Sequence, residues 1–288
     1  MQDREPTIRS RELGDALREA MRRGGLSGKD VAVALGWSPS RVSRLLTGRR
    51  GGSELDVSAV LAVCRVRGAE RDRLLKLCEE MNTPGWLLQH GSRLPQQLRT
   101  LIDHEGKAAT IGSFQSTVVP GLLQTGDYAR ALSLGPGMFP EDEIDERVQA
   151  RLARQALFSR FRPPRFTFFL HEYALRLPVG SPEVMSEQLH HLLRMLVRTY
   201  ITLRVVPARI GPHAGIAGPF ILLESAEFKP VVYLESQTSE LFLEEPAEIA
   251  AYRRILARLA DTALDEGQSR ELIATLATEL YAQERGPR

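Results

Sequence analysis

The segment from Gly28 to Thr47, GKDVAVALGWSPSRVSRLLT, constrains this chain more than any other. It has the residue pattern of two short helices meeting at a steep angle. Helices that cross steeply touch closely, and Ala32 supplies the small side chain such a contact needs. The chain must then turn sharply, and Gly36 is able to take the positive φ of that turn. Val31 and Leu35 on the first helix, with Val42 and Leu45 on the second, close a small core between them. Ser27 caps the first helix, with Asp30 at the capping-box spacing. Ser38 caps the second, and Pro39 suits its first position because the missing N–H has no helical partner there.

The outer face of the second helix carries Ser38, Ser40, Arg41, Ser43 and Arg44, all short polar or basic groups. A helix that enters the major groove needs this pattern: little bulk, and hydrogen-bonding groups able to reach base edges. Arg49 and Arg50 follow at its end, placed to hold phosphates. Residues 38–50 contain four arginines and no acid. The blander alternative is a helical hairpin with a solvated basic face.

Charge over the whole chain is mild, +2 in 288 residues, and on its own does not indicate nucleic acid. Its distribution says more. Residues 1–80 carry a net +4, and the remainder carries −2. Helical spacing predicts a helix over 8–23, another opened by Asp56, and another over about 69–81. Five short helices therefore make up an all-helical domain at 1–82. The stretch 83–97, rich in Pro, Gly and apolar residues, reads as a linker that Trp86 pins to one side.

A mixed α/β domain is expected over 98–288, which makes the chain α+β overall. Helices are predicted at 97–109, 126–134 (capped by Thr125), 140–161, 181–199, 246–264 and 268–283. Strands are predicted at 111–119, 165–170, 201–206, 219–224, 231–235 and 240–243. The 140–161 helix starts acidic and ends basic, matching the helix dipole, with Ile144, Val148, Leu152 and Ala156 as its buried stripe. The last two helices have spacing that suits either a core or a dimer seam.

Two places in this domain crowd polar groups. PGLLQTGDYAR sets Gln124, Thr125, Asp127, Tyr128 and Arg130 beside a Pro-Gly turn, either as the wall of a pocket or partner surface or as a corner held by caps. Gln149, Arg151, Arg154 and Gln155 on the long helix face either a pocket or water. His171 beside Glu172, at a strand end, fixes a turn or lines a cavity.

Other chemistries find little support. His190-His191 point about 100° apart on a helix, and no zinc-type spacing of His or Cys occurs, so no metal is expected. The glycines at 135–137 and 211–218 match no phosphate-loop pattern, and no nucleophile elbow is present. Neither an enzyme nor a cofactor is expected. Cys64 and Cys78 sit in apolar helical patterns as small buried hydrophobes in a reduced cytoplasm. No apolar run approaches a membrane span, and the N-terminus has no signal-peptide core.

Six phrases in the second domain, in order, carry a family resemblance: VVPGLLQTGDYARAL (118–132), ERVQARLARQALF (146–158), HEYALRLPVG (171–180), MSEQLHHLL (185–193), GPFILLE (218–224) and VVYLES (231–236). With the helix-turn-helix in front, the chain resembles actinobacterial Xre/Cro-type regulators whose C-terminal domain is of unknown function, the WhiJ-like regulators among them. The resemblance implies a transcription regulator that binds double-stranded DNA, and a homodimer is expected. It also implies a C-terminal domain that binds a small partner protein encoded nearby, or a small-molecule effector. An antitoxin-like protein that holds its partner and regulates only its own operon is the alternative. Two departures stand out. Gly28 replaces the glutamine common at the start of the first motif helix, and LIDHEGKA (101–108) matches an acidic family phrase only loosely, so Glu105 carries little weight.

Overall fold

The computed structural model describes residues 8–48, 53–79, 86–89, 96–135, 137, 140–236 and 239–283. The chain divides into two compact units, Met1–Trp86 with Glu227–Lys229, and Leu87–Ala226 with Pro230–Arg288.

The first unit is built on five helices: α1 (Ile8–Arg23), α2 (Gly28–Leu35), α3 (Pro39–Leu46), α4 (Glu54–Val63) and α5 (Gly68–Glu79). Apolar residues at helical spacing turn inward from each. Leu13, Leu17, Val31, Ala32, Val42, Leu45, Val57, Leu61 and Leu74 form one core, with Leu35 and Trp37 packed at its edge. Cys64 and Cys78 are buried in it and unbridged, and burial raises both thiol pKa values, that of Cys78 to about 11. Helix α4 starts one turn earlier than its sequence suggests. Ser53, not Asp56, is the N-cap, and Asp56 is the third helical residue whose carboxylate closes a capping box onto the Ser53 N–H.

The second unit is a mixed sheet with helices on both faces. Its strands run in the order β1-β7-β6-β5-β2-β3-β4. They are β1 (Trp86–Gln89), β2 (Thr110–Gln115), β3 (Arg165–His171), β4 (Ile201–Val206), β5 (Phe220–Glu224), β6 (Val231–Glu235) and β7 (Ser239–Leu243). Strands β2, β3 and β4 pair in parallel, while β2, β5, β6 and β7 pair antiparallel. Strand β1 lies within the stretch read from sequence as a linker. The expected strand 111–119 stops at Gln115, because the chain bends away before Pro120.

The helices of this unit are α6 (Gln96–Lys107), α7 (Gly126–Leu134), α8 (Glu141–Arg154), α9 (Tyr173–Arg176), α10 (Pro182–Met195), α11 (Pro246–Thr262) and α12 (Glu266–Gln283). Alternation along the strands divides the sheet into two faces. Phe114, Phe169, Phe220, Leu222, Val232 and Leu243 face α11, meeting Ile249, Tyr252, Ile255, Leu256 and Leu259. The α11 spacing is therefore core within this chain. On the other face, Phe166 stacks on Phe168 with ring centroids 5.7 Å apart, and Tyr233 meets Phe242 at 5.0 Å. Helix α6 lies on this second face, since the His104 ring is 6.4 Å from that of Phe242.

The long helix expected over 140–161 is α-helical only to Arg154. It tightens into a 3-10 turn at Gln155–Ser159. A 3-10 turn advances each residue by about 120° rather than about 100°. That rotates Ala156 out of the stripe of Ile144 and Val148 and leaves it exposed.

Candidate nucleic-acid interface and the polar cluster of the second unit

Helices α2 and α3 have the joint that their sequence dictates. Ser27 and Asp30 form a reciprocal capping box, and Gly36 ends α2 at φ 64°. Ser38 Oγ accepts the Arg41 N–H at 3.3 Å, with Pro39 at the first helical position. Helix α1 braces the far end of α3. Arg18 Nη1 donates to the Leu46 carbonyl at 2.8 Å. Gly14 lies so close that a Cβ there would stand 2.1 Å from the Leu46 oxygen. Backbone meets backbone at this crossing, and α3 is fixed from behind.

The front of α3 is left polar. Ser38, Ser40 and Ser43 are exposed, and Arg41 and Arg44 are half-buried. The two arginines differ. Arg41 Nη2 donates to Asp56 Oδ1 at 2.7 Å, and its guanidinium lies 4.1 Å above the centre of the Trp37 ring. Its side chain is still 41% exposed, so part of the fork faces solvent. Arg44 has no ion-pair partner among the described residues. Arg49 and Arg50 lie outside the described residues. Trp37, Arg18 and Gly14 are supports that the sequence did not single out, and Asp56 was read there only as a helix cap. Asp56 is fifteen positions from Arg41, so no local pattern joins them.

In the second unit, the residues around the Pro-Gly turn mostly hold the corner. Gln124 Nε2 donates to the Val119 carbonyl at 2.6 Å, and its backbone carbonyl accepts from Gln155 Nε2 at 2.6 Å. Gln188 clasps the same corner through the Leu123 carbonyl and the Thr125 N–H. Tyr128 is fully buried, its hydroxyl oxygen accepting the Val119 N–H at 3.3 Å, and burial raises its pKa. Thr125 caps α7, Asp127 is exposed, and Arg130 pairs with Asp145. His171 Nδ1 accepts the Tyr173 N–H at 3.2 Å, and its ring stacks on His213 at 5.4 Å.

Arg151 and Arg154 turn inward to a cluster of buried ions. Arg154 makes a two-pronged bond to Glu105, 2.9 Å from Nε and 2.6 Å from Nη2. Glu105 is 0% exposed, so the position given little weight on sequence is the most deeply buried acid among the unit's described residues. Burial opposes the Arg154 charge, but the adjacent Glu105 outweighs it and the Arg154 pKa is raised. Arg151 Nη1 donates to Gln124 Oε1 at 2.8 Å. Burial, with Arg154 and Arg147 nearby, lowers the Arg151 pKa despite the attraction of Glu235.

The sheet supplies the other side of this cluster. Glu235 and Glu240 stand opposite each other on β6 and β7, and Tyr233 is two register pairs away on the same face. The Tyr233 hydroxyl donates to Glu240. Burial, with the Glu235 charge adding to it, lifts the Glu240 pKa to about 7. None of these three was among the residues singled out from sequence, though strict alternation in SELFL sets Glu240 on the same face as Phe242.

The family model described as "Helix-turn-helix domain" (HTH_31) matches residues 12–74, and that described as "Domain of unknown function (DUF5753)" matches residues 98–275. No curated protein sequence matches the chain. A solved structure of TrmBL2, an archaeal chromatin protein reported to show a novel mode of DNA binding, covers 88% of this chain and 98% of its own. Identity is 10% and the TM-score 0.29, so that likeness carries no argument. No helix among the described residues is long and apolar enough to cross a membrane.

Proposed function

This chain belongs to the DUF5753 family and carries a helix-turn-helix ahead of that domain, and we propose that it is a sequence-specific transcription regulator of the Xre/Cro type. The observation that carries this reading is the front of α3: three exposed serines and two arginines on a helix braced from behind by Arg18 and Gly14. A recognition helix needs that combination of a rigid back and a short, hydrogen-bonding front. Arg44 and Arg41 contact guanine or phosphate, the serines contact base edges or backbone, and Arg49 and Arg50 add salt-dependent affinity. A homodimer reads two half-sites about 34 Å apart or a multiple of that.

In this reading the second unit is the effector-sensing part, acts without catalytic turnover and works in the cytoplasm. A small partner protein or ligand shifts DNA affinity through it, which requires different affinities for the DNA-competent and incompetent states. The buried Glu105, Arg154 and Glu240 support an effector site there, because buried ionisable groups are costly and concentrate where chemistry or recognition needs them.

The test is selection of binding sites by the full chain from a random duplex pool. A two-fold symmetric consensus with half-sites at that spacing is expected. An unenriched pool contradicts sequence-specific reading. Mapping the consensus across the source genome then separates a regulator of many promoters from an antitoxin-like protein that binds only its own.

A further inference from the structure

The stretch that leads from the 3-10 turn at Gln155–Ser159 into β3 is basic and exposed. Residues 147–171 contain six arginines and no acid, although residues 81–288 carry a net −2. Arg151 and Arg154 turn inward, and Arg147 pairs with Glu143 at 3.7 Å. The other three, Arg160, Arg162 and Arg165, are exposed. Arg160 Nη1 donates to the Gly106 carbonyl at the end of α6. Arg162 and Arg165 have no ion-pair partner among the described residues. Asp103 and Glu105 on α6, Glu187 on α10 and Glu224 on β5 already face Lys107, Arg154, Arg194 and Arg253, so these acids do not neutralise the patch.

Between the arginines stands Phe161, 97% exposed. An aromatic core lies beside it, since the buried rings of Phe158 and Phe166 meet at 4.8 Å, yet Phe161 does not join them. The backbone that carries it is stiff. Pro163 and Pro164 fix their own φ angles, and Pro164 is buried. Just ahead of it, the Phe158 carbonyl accepts the Tyr200 hydroxyl at 2.6 Å. A ring held out by a fixed loop cannot fold back to escape water, and its apolar surface is free for a partner.

We infer that residues 160–165 are a second contact for double-stranded DNA, in which Arg162 and Arg165 hold phosphates and Phe161 enters the minor groove as an apolar wedge. The duplex offers closely spaced negative charge, and guanidinium bonds phosphate with two prongs. Proteins that bend DNA insert phenylalanine between base steps in company with basic side chains. An acidic partner protein would also meet the arginines, but the apolar part is too small for it. One exposed ring, with Val197 on the α10–β4 turn, falls far short of the roughly 800 Å² per partner of a stable protein interface, whereas one ring is enough to part a base step. The inference rests on the chain being a DNA-binding regulator, and it sets part of the DNA contact outside the helix-turn-helix.

The test uses the full chain and its selected duplex, dye-labelled at both ends so that energy transfer reads bending. The parent is compared with Phe161→Ala, Phe161→Leu and the double variant Arg162→Ala with Arg165→Ala. All three side chains are exposed, so melting curves should match the parent's. The parent is expected to bend the duplex, within the range of about 20–90° that such wedges produce. Phe161→Ala should abolish the bend and keep the salt dependence, and Phe161→Leu should keep the bend, because leucine also serves as a wedge. Each phosphate neutralised adds about 0.9 to the slope of log affinity against log salt, so the double variant should lower that slope by about 1.8, on selected and scrambled duplex alike. A bound duplex that stays straight, or a bend that survives Phe161→Ala, refutes the wedge. An unchanged slope in the double variant refutes the phosphate contact. Both results together overturn the site and leave the patch to an acidic partner protein, with the role of α3 untouched. No DNA binding by the parent refutes the regulator reading and this inference with it.

Discussion

Replacing Glu105 by Gln removes the charge that Arg154 was buried to meet. Glu105 is 0% exposed and Arg154 9%, and two hydrogen bonds of 2.9 and 2.6 Å join them. Breaking a buried pair from one side leaves an uncompensated ion, which costs about 3–5 kcal/mol. The amide keeps one acceptor, so the lower end applies, about 3 kcal/mol. In a unit of this size each kcal/mol moves the midpoint by roughly 2–4 °C, so a fall of roughly 6–12 °C is expected. Differential scanning calorimetry reads it as a shift in the second unit's transition, with that of the helical unit unmoved. The companion variant is Glu105→Met with Arg154→Met. Removing both ions removes both desolvation costs, so the double variant should be more stable than Glu105→Gln alone. A single-variant cost below about 1 kcal/mol, or a double variant worse than the single, refutes the claim that burial makes this pair costly to break.

Three further outcomes follow from other parts of the structure. The Glu240 pKa rises from 4.5 to about 7 on folding, so its contribution to stability is complete below pH 4.5 and is lost as pH climbs through 7. Unfolding free energies of the parent chain from urea titrations should therefore fall relative to those of Glu240→Gln between pH 5 and 8, by up to about 3 kcal/mol, and a constant difference contradicts the assignment. Ser53→Ala should cost about 1 kcal/mol in the helical unit, because its Oγ accepts the Asp56 N–H at 3.1 Å, and an unchanged melting curve argues against the cap. Gly14→Ala puts a methyl 2.1 Å from the Leu46 oxygen, so it should destabilise that unit by about 1–3 kcal/mol and weaken DNA binding with it. A variant with wild-type stability and DNA affinity shows that the α1–α3 crossing has room.

The helix-turn-helix was legible in sequence because its determinants are local. The Ser27–Asp30 box, the Gly36 turn and the Ser38-Pro39 start each lie within a few residues, and each forms as read. Strand positions 201–206 and 231–235 were legible for a similar reason, since turn residues bound them closely. What joins distant residues was not legible. The Arg41–Asp56 link spans fifteen positions, and Glu105–Arg154 spans forty-nine. Arg151 and Arg154 were singled out, but their inward direction depends on where α6 and the β6–β7 hairpin lie. Glu240 had no local mark beyond alternation, because its burial and its proximity to Glu235 arise only when β7 pairs with β6. Ala156 was misplaced because the change from α to 3-10 geometry at Gln155 alters the rotation per residue without altering the pattern of residue types.

The central claim is that the front of α3 reads bases. The most direct measurement is fluorescence anisotropy of the full chain on its selected duplex, comparing the parent with Arg44→Ala. Losing one two-pronged guanine contact should cost about 1–3 kcal/mol on the consensus, relax preference at one base position per half-site, and leave binding to scrambled duplex nearly unchanged. Unaltered affinity and unaltered base preference would place the reading surface somewhere other than α3.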